Sequence, residues 1–94
     1  MNKCMFFGTV SDVKSIENED GSIAASLTLE VSNKRANQAS KRIDRELLQF
    51  EVWGTAATYL LTNAQIGCNI LVSDATARHH ERDVVFRIND FKVI

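Results

Sequence analysis

Proline is absent from the 94 residues, so glycine, asparagine, aspartate and serine do all the punctuating. Cysteine occurs only twice, as Cys4 and Cys68, in or beside apolar runs. One possible pair in a chain lacking a secretion-signal core argues against a disulfide framework. The two thiols read instead as small buried hydrophobes. No apolar run approaches the roughly 18 residues of a membrane span. Repeats, low-complexity stretches and linkers are also missing, and 94 residues suffice for one small core, hence a single domain over 1–94. Charge of one sign is lacking overall, the formal net being −1. Aromatic residues make up 7%, with a single tryptophan, Trp53.

Enzymatic chemistry finds few candidates. His79 and His80 are adjacent, so on a strand they would point to opposite faces, a poor metal pair. With Cys4 and Cys68 they make no zinc-type spacing. No glycine-rich phosphate loop, nucleophile elbow or paired-carboxylate motif is found. The expectation is a non-enzyme without metal or cofactor.

What is present is a pattern of strands. Lys3–Val13 is an apolar run with Gly8 as a bulge or sharp bend, and Asn18–Ser22 is a strong turn signal. Ile23–Ser32 alternates, with Ala25, Leu27, Leu29 and Val31 on one face and Ala24, Ser26, Thr28 and Glu30 on the other. Leu47–Trp53 alternates likewise, with Leu48, Phe50 and Val52 inward and Leu47, Gln49, Glu51 and Trp53 outward. Thr55–Ala64 reads as a short helix with a threonine able to cap it and Gly67 beyond its end. Asn69–Arg78 and Val84–Ile94 are the fourth and fifth strands, joined by a polar turn from His79 to Asp83. Phe6, Phe7, Phe50, Phe86 and Phe91 are expected in the core, and Tyr59 is expected to pack the helix onto it. The order β-β-β-α-β-β predicts an all-β fold, a five-stranded OB-fold barrel with one short helix between strands 3 and 4. A doubly wound α/β fold would need helices between most strands.

Charge is unevenly distributed. The twelve residues Lys34–Arg45 hold five of the eleven basic side chains and one acid, Asp44, for a segment charge of +4. The remaining residues set six Lys/Arg against eleven Asp/Glu, a net of −5. Such a loop attracts a polyanion locally although the whole molecule does not. Lys34, Arg35, Lys41, Arg42 and Arg45 are candidate phosphate contacts, though a charge run is also what a solvated loop looks like. Trp53, on the polar-patterned face beside that loop, is a candidate base-stacking platform, against the plainer reading of a barrel-rim residue. Glu51 on the same face counts against it by repelling phosphate. Arg78, Arg82 and Arg87, with His79 and His80, give the turn between strands 4 and 5 positive character. Arg78 and Arg82 are second-rank contacts there, and Glu81 and Asp83 dilute the charge.

Several of these stretches, in order, resemble one family. Asn2-Lys3 followed by four apolar residues and Gly8, then Asp20-Gly21-Ser22-Ile23-Ala24 with Leu27-Thr28-Leu29, then Val52-Trp53-Gly54 with Ala56-Ala57, then Tyr59-Leu60 leading to Gly67 resemble bacterial single-stranded DNA-binding proteins. The final strand is similar as well, and the chain is similar also to the primosomal replication protein N family. The resemblance implies an OB-fold that wraps single-stranded DNA through aromatics and basic side chains, in a homo-oligomer, dimer or tetramer. It implies roles in DNA replication, recombination or repair, with other replication proteins as partners, in a cytoplasmic, nucleoid-associated setting. By position, Trp53 matches a stacking aromatic and Lys34–Arg45 the DNA-wrapping hairpin. Further aromatics of the family fall at Leu47, near Arg35 and near Glu81, and the chain ends at Ile94 without the family's acidic tail. Fewer platforms imply binding that leans on charge. The alternative is an OB-fold interaction subunit of a replication or replication-restart complex with weak DNA binding. RNA is a third candidate ligand.

Overall fold

Strands form where branched and aromatic residues alternate with polar ones, and the ladder between two strands continues past the point where that alternation fades. A computed structural model describes residues 4–33, 44–80 and 82–94, with the side chains of all of these except 32, 33, 44, 45 and 80. It contains β1 (Cys4–Glu17), β2 (Ile23–Asn33), β3 (Asp44–Trp53), α1 (Thr55–Asn63), β4 (Asn69–His80) and β5 (Asp83–Val93). Each element expected from the sequence is found, and the differences lie at the ends. β1 runs four residues beyond Val13, because Lys14 to Glu17 pair with Ser26 to Ile23. β3 starts at Asp44, three residues before Leu47, because Asp44 and Arg45 pair with Asn33 and Ser32. Apart from Ile16 the residues in both places are polar, so the ladder continues where the apolar alternation fades.

The strands close into a barrel in the order β1-β2-β3-β5-β4, with β4 returning to β1. Together with the helix between β3 and β4, this is the OB-fold barrel. Four seams are antiparallel and one, β3 with β5, is parallel and consists of two pairs, Phe50↔Phe86 and Glu51↔Arg87. β1 serves two partners. Its first half pairs with β4, its second half with β2, and Thr9 belongs to both ladders.

Gly8 stands at that change of partner, but it is not a bulge. The register irregularities fall between Cys4 and Phe6 and between Val10 and Asp12. The glycine answers a close approach instead. A Cβ there would lie 2.9 Å from the Glu30 carbonyl oxygen and 3.2 Å from the Leu29 Cβ, so a side chain would drive β1 away from β2.

The inward set matches the alternation. Ala25, Leu27, Leu29, Phe50, Val52, Ile70 and Val72 are at most 1% exposed. Burying a large side chain of this kind contributes about 1.5–3 kcal/mol. Phe6, Phe50 and Phe86 form an aromatic triad with ring centroids 4.7–5.5 Å apart. Phe7 departs from expectation, being 55% exposed. Phe6 takes the inward parity of β1, so Phe7 must point out, a distinction that a continuous apolar run hides. Phe91 is partly buried against the core. Tyr59 reaches the Phe91 ring at 5.9 Å but remains about half exposed. Cys4 and Cys68 are free and partly buried at the edge of the core.

α1 puts Ala57, Leu60 and the following Ala64 on one buried face and packs against β2, β3 and β1. Its N-cap is Gly54, at φ 72°, and no side chain caps it, so the expected threonine cap is not used. The Gly54 carbonyl accepts from the Ala57 and Thr58 amides. Gly67, at φ 95°, lies in the turn that follows the helix rather than at its cap, and its amide donates to the Val10 carbonyl at 2.9 Å. In the β1–β2 turn, the Ser22 hydroxyl and amide donate to Asp20 and hold its carboxyl below the usual value.

Candidate nucleic-acid interface

The outward face of β3 is built by the same parity that buries Phe50 and Val52. Leu47, Gln49, Glu51 and Trp53 share that face, and their β2 partners are Glu30, Thr28, Ser26 and Ala24. Trp53 lies at the end of this row and is 38% exposed. Ala24, directly opposite, is 1% exposed although it belongs to the outward parity and not to the core cluster. A small residue there leaves room beside the indole. Four residues along, the Thr28 hydroxyl donates to Gln49 Oε1 at 3.1 Å. Leu47 is exposed and apolar but offers no π-face.

The parallel seam carries β5 and then β4 beside this row. Arg87 pairs in register with Glu51, and its guanidinium carbon lies 5.7 Å from the centroid of the Trp53 ring. Such a cation–π contact contributes about 0.5–1 kcal/mol at an exposed site. Arg78 of β4 donates from Nη1 to Glu51 Oε1 at 3.2 Å. The acid that should repel phosphate is thereby matched by one arginine and flanked by another. Exposed pairs of this kind add little to stability. Here the pair sets the charge and orientation of the site.

Gln49, Glu51 and Trp53 of this row, with Arg78, line a cleft of about 350 Å³. Ser26, Gln49, Glu51 and Trp53 lie on its β2–β3 side, Ile16 contributes from β1, and Arg78, His79 and Val85 from the β4–β5 hairpin. It therefore lies over strands 2 and 3, between the β1–β2 and β4–β5 hairpins, where OB-folds carry oligonucleotides and oligosaccharides.

Of the residues singled out in the sequence, Trp53 and Arg78 meet in this cleft. Arg82 is exposed at the turn between β4 and β5. Lys34, Arg35, Lys41 and Arg42 lie outside the described residues, as does the side chain of Arg45, whose backbone pairs with Ser32. Arg87 is the residue the sequence reading misplaced. The sequence groups it with the turn between strands 4 and 5, whereas it sits four residues inside β5. Only the β3–β5 register brings it to Trp53, and that register joins residues 36 apart in the chain.

No family model matches the chain, and neither does any curated protein. Solved structures do. The protein PriB from Ralstonia solanacearum is similar with a TM-score of 0.78 at 13% identity, over 99% of this chain and 97% of its own. The SSB domain of a Synechococcus protein gives 0.80 at 14% identity, over 97% of this chain and 93% of its own. The single-stranded DNA binding protein from Thermus aquaticus gives 0.80 at 16% identity, and all of this chain spans 50% of that one. At these identities the likeness is one of fold. It agrees with the family that the sequence motifs resemble.

Proposed function

We propose that this chain is a non-enzymatic protein that binds single-stranded DNA with little sequence preference along the strand, in replication, recombination or repair. The observation that carries the reading is Trp53, exposed at the end of the β3 row in a cleft over strands 2 and 3, with Arg87 of β5 over its ring and Arg78 of β4 paired with its acidic neighbour. A base stacks on the indole, and Arg87, Arg78 and Arg82 meet the phosphates beside it. Lys34, Arg35, Lys41, Arg42 and Arg45 extend that track along the strand. Support from comparison comes from the fold shared with a protein named for single-stranded DNA binding and with PriB. The setting proposed is cytoplasmic, on the nucleoid. Among the described residues no helix is long and apolar enough to cross a membrane.

Titration with oligo-dT, followed by Trp53 fluorescence, tests the reading. With three or four phosphates neutralised, the log–log salt slope is expected at roughly −2 to −3. Absence of binding at low salt sinks the proposal and leaves the interaction subunit of a replication complex in its place. Oligo-U of equal length, bound as tightly, would shift the ligand to RNA.

We also propose that the chain works as a homo-oligomer joined through the first half of β1. Met5 and Phe7 are exposed there, and among the described residues positions 4–7, ahead of the close contact at Gly8, carry no ladder partner on the side facing β2. An open edge with apolar side chains suits pairing with a second copy. Sedimentation is expected to give a dimer or tetramer that dissociates when Met5 and Phe7 are both replaced by Asp. A monomeric wild-type chain at micromolar concentration refutes the assembly.

A further inference from the structure

We infer that the cleft takes one guanine base, stacked on Trp53, with its Watson–Crick edge donating to the Glu51 carboxylate. The inference rests on the single-strand reading and adds to it a preferred base at one position of an otherwise tolerant strand.

Glu51 precedes Trp53 by two residues, so both project from the same face of β3, about 6.5–7 Å apart along the strand. That spacing sets the carboxylate at the edge of a ring stacked on the indole, not beneath it. The carboxylate is also oriented. Arg78 donates to Oε1, and the Glu51 side chain is 25% exposed while Arg78 is 53% exposed. An ionised carboxylate accepts up to about four hydrogen bonds, so the arginine leaves acceptor capacity on both oxygens. In a cleft built for a polyanion, a carboxylate adds nothing to phosphate binding. What it adds is an acceptor for base donors.

The four DNA bases differ sharply before such an acceptor. Guanine offers a ring N1–H and an exocyclic N2–H side by side, matched to the two oxygens of a carboxylate. Adenine and cytosine each present one amino group, next to a ring nitrogen that repels the second oxygen. Thymine presents N3–H flanked by two carbonyls, which repel the carboxylate on both sides. Reading a base on its Watson–Crick edge while its face is stacked is the general way an unpaired base is identified. The cleft volume of about 350 Å³ lies near the lower end of the about 300–1,000 Å³ of small-ligand sites, which suits one base rather than a run.

The test uses oligo-dT carrying one central dG, dI, dA or dC, titrated at fixed salt against the wild-type chain and the Glu51→Gln variant, with folding checked by thermal unfolding. The dG oligomer is expected to bind on the order of tenfold tighter than all-T. The dI oligomer, which lacks the N2 amine, should lose most of that gain. In Glu51→Gln the difference between dG and all-T affinity, read as their ratio within the variant, should vanish. Equal affinities for dG and all-T oligomers overturn the inference but leave the single-strand reading intact, as does a dG gain that survives in Glu51→Gln. Failure of every oligomer to bind overturns both.

Discussion

Replacing Phe50 by Ala is expected to lower the unfolding free energy by about 3–5 kcal/mol, measured by urea denaturation. Phe50 heads the fully buried side chains in volume and is 1% exposed. It touches both Phe6 and Phe86, with centroids 5.2 and 5.5 Å away. It is also the cross-strand partner of Leu27 on one side and of Phe86 on the other. Truncation would leave a void bounded by strands on both sides of β3, where the barrel has little freedom to collapse. Since a domain of this size holds roughly 5–15 kcal/mol in total, the loss would consume a large part of the margin. A change below about 1 kcal/mol would show that the triad is not the centre of the core.

Trp53→Ala is expected to act on the ligand and spare the fold. The ring is 38% exposed and lies outside the core cluster, so thermal stability should change little beyond the loss of its contact with Arg87. Affinity for oligo-dT should fall by about 1–3 kcal/mol, roughly 5- to 150-fold. Because the variant removes the intrinsic fluorophore, the measurement is anisotropy of a labelled oligonucleotide. Arg87→Ala separates two routes to the same loss. If Arg87 acts only through its charge, the arginine variant lowers the salt slope and keeps the stacking contribution. An unchanged affinity in Trp53→Ala would refute the stacking role and move the contact surface away from the cleft.

The barrel was legible in the sequence because local signals agree on it. Alternation in Ile23–Ser32 and Leu47–Trp53, a turn at Asn18–Ser22 and one helix-compatible stretch leave little choice of architecture. Trp53 could be placed outward by parity, since Gln49 and Glu51 share its face and Leu48, Phe50 and Val52 do not. Parity failed where it had nothing to contrast. In Cys4-Met5-Phe6-Phe7 every residue is apolar, so the exposure of Phe7 could not be read. The partners of Trp53 were hidden for a different reason. Arg87 reaches it, and Arg78 reaches the neighbouring Glu51, through pairings between residues 36 and 27 positions apart, and nothing local in the chain encodes them. Glu51 looked like an obstacle for the same reason, because its arginine lies on another strand. Gly8 predicts a deformation of the strand, whereas it marks contact between strands.

The seam between β3 and β5 has two residue pairs, against five or more in every other seam of the barrel. A closed ring of strands opens most readily at its thinnest join, and proteins exchange amide protons through such local openings. One of those two pairs is Glu51↔Arg87, at the cleft itself. Separating them would carry Arg87 away from Trp53 and would also part Phe86 from Phe50 in the aromatic triad. Barrel closure and an assembled cleft are therefore one local equilibrium, and a strand laid from Trp53 across to Arg87 would hold it shut by mass action.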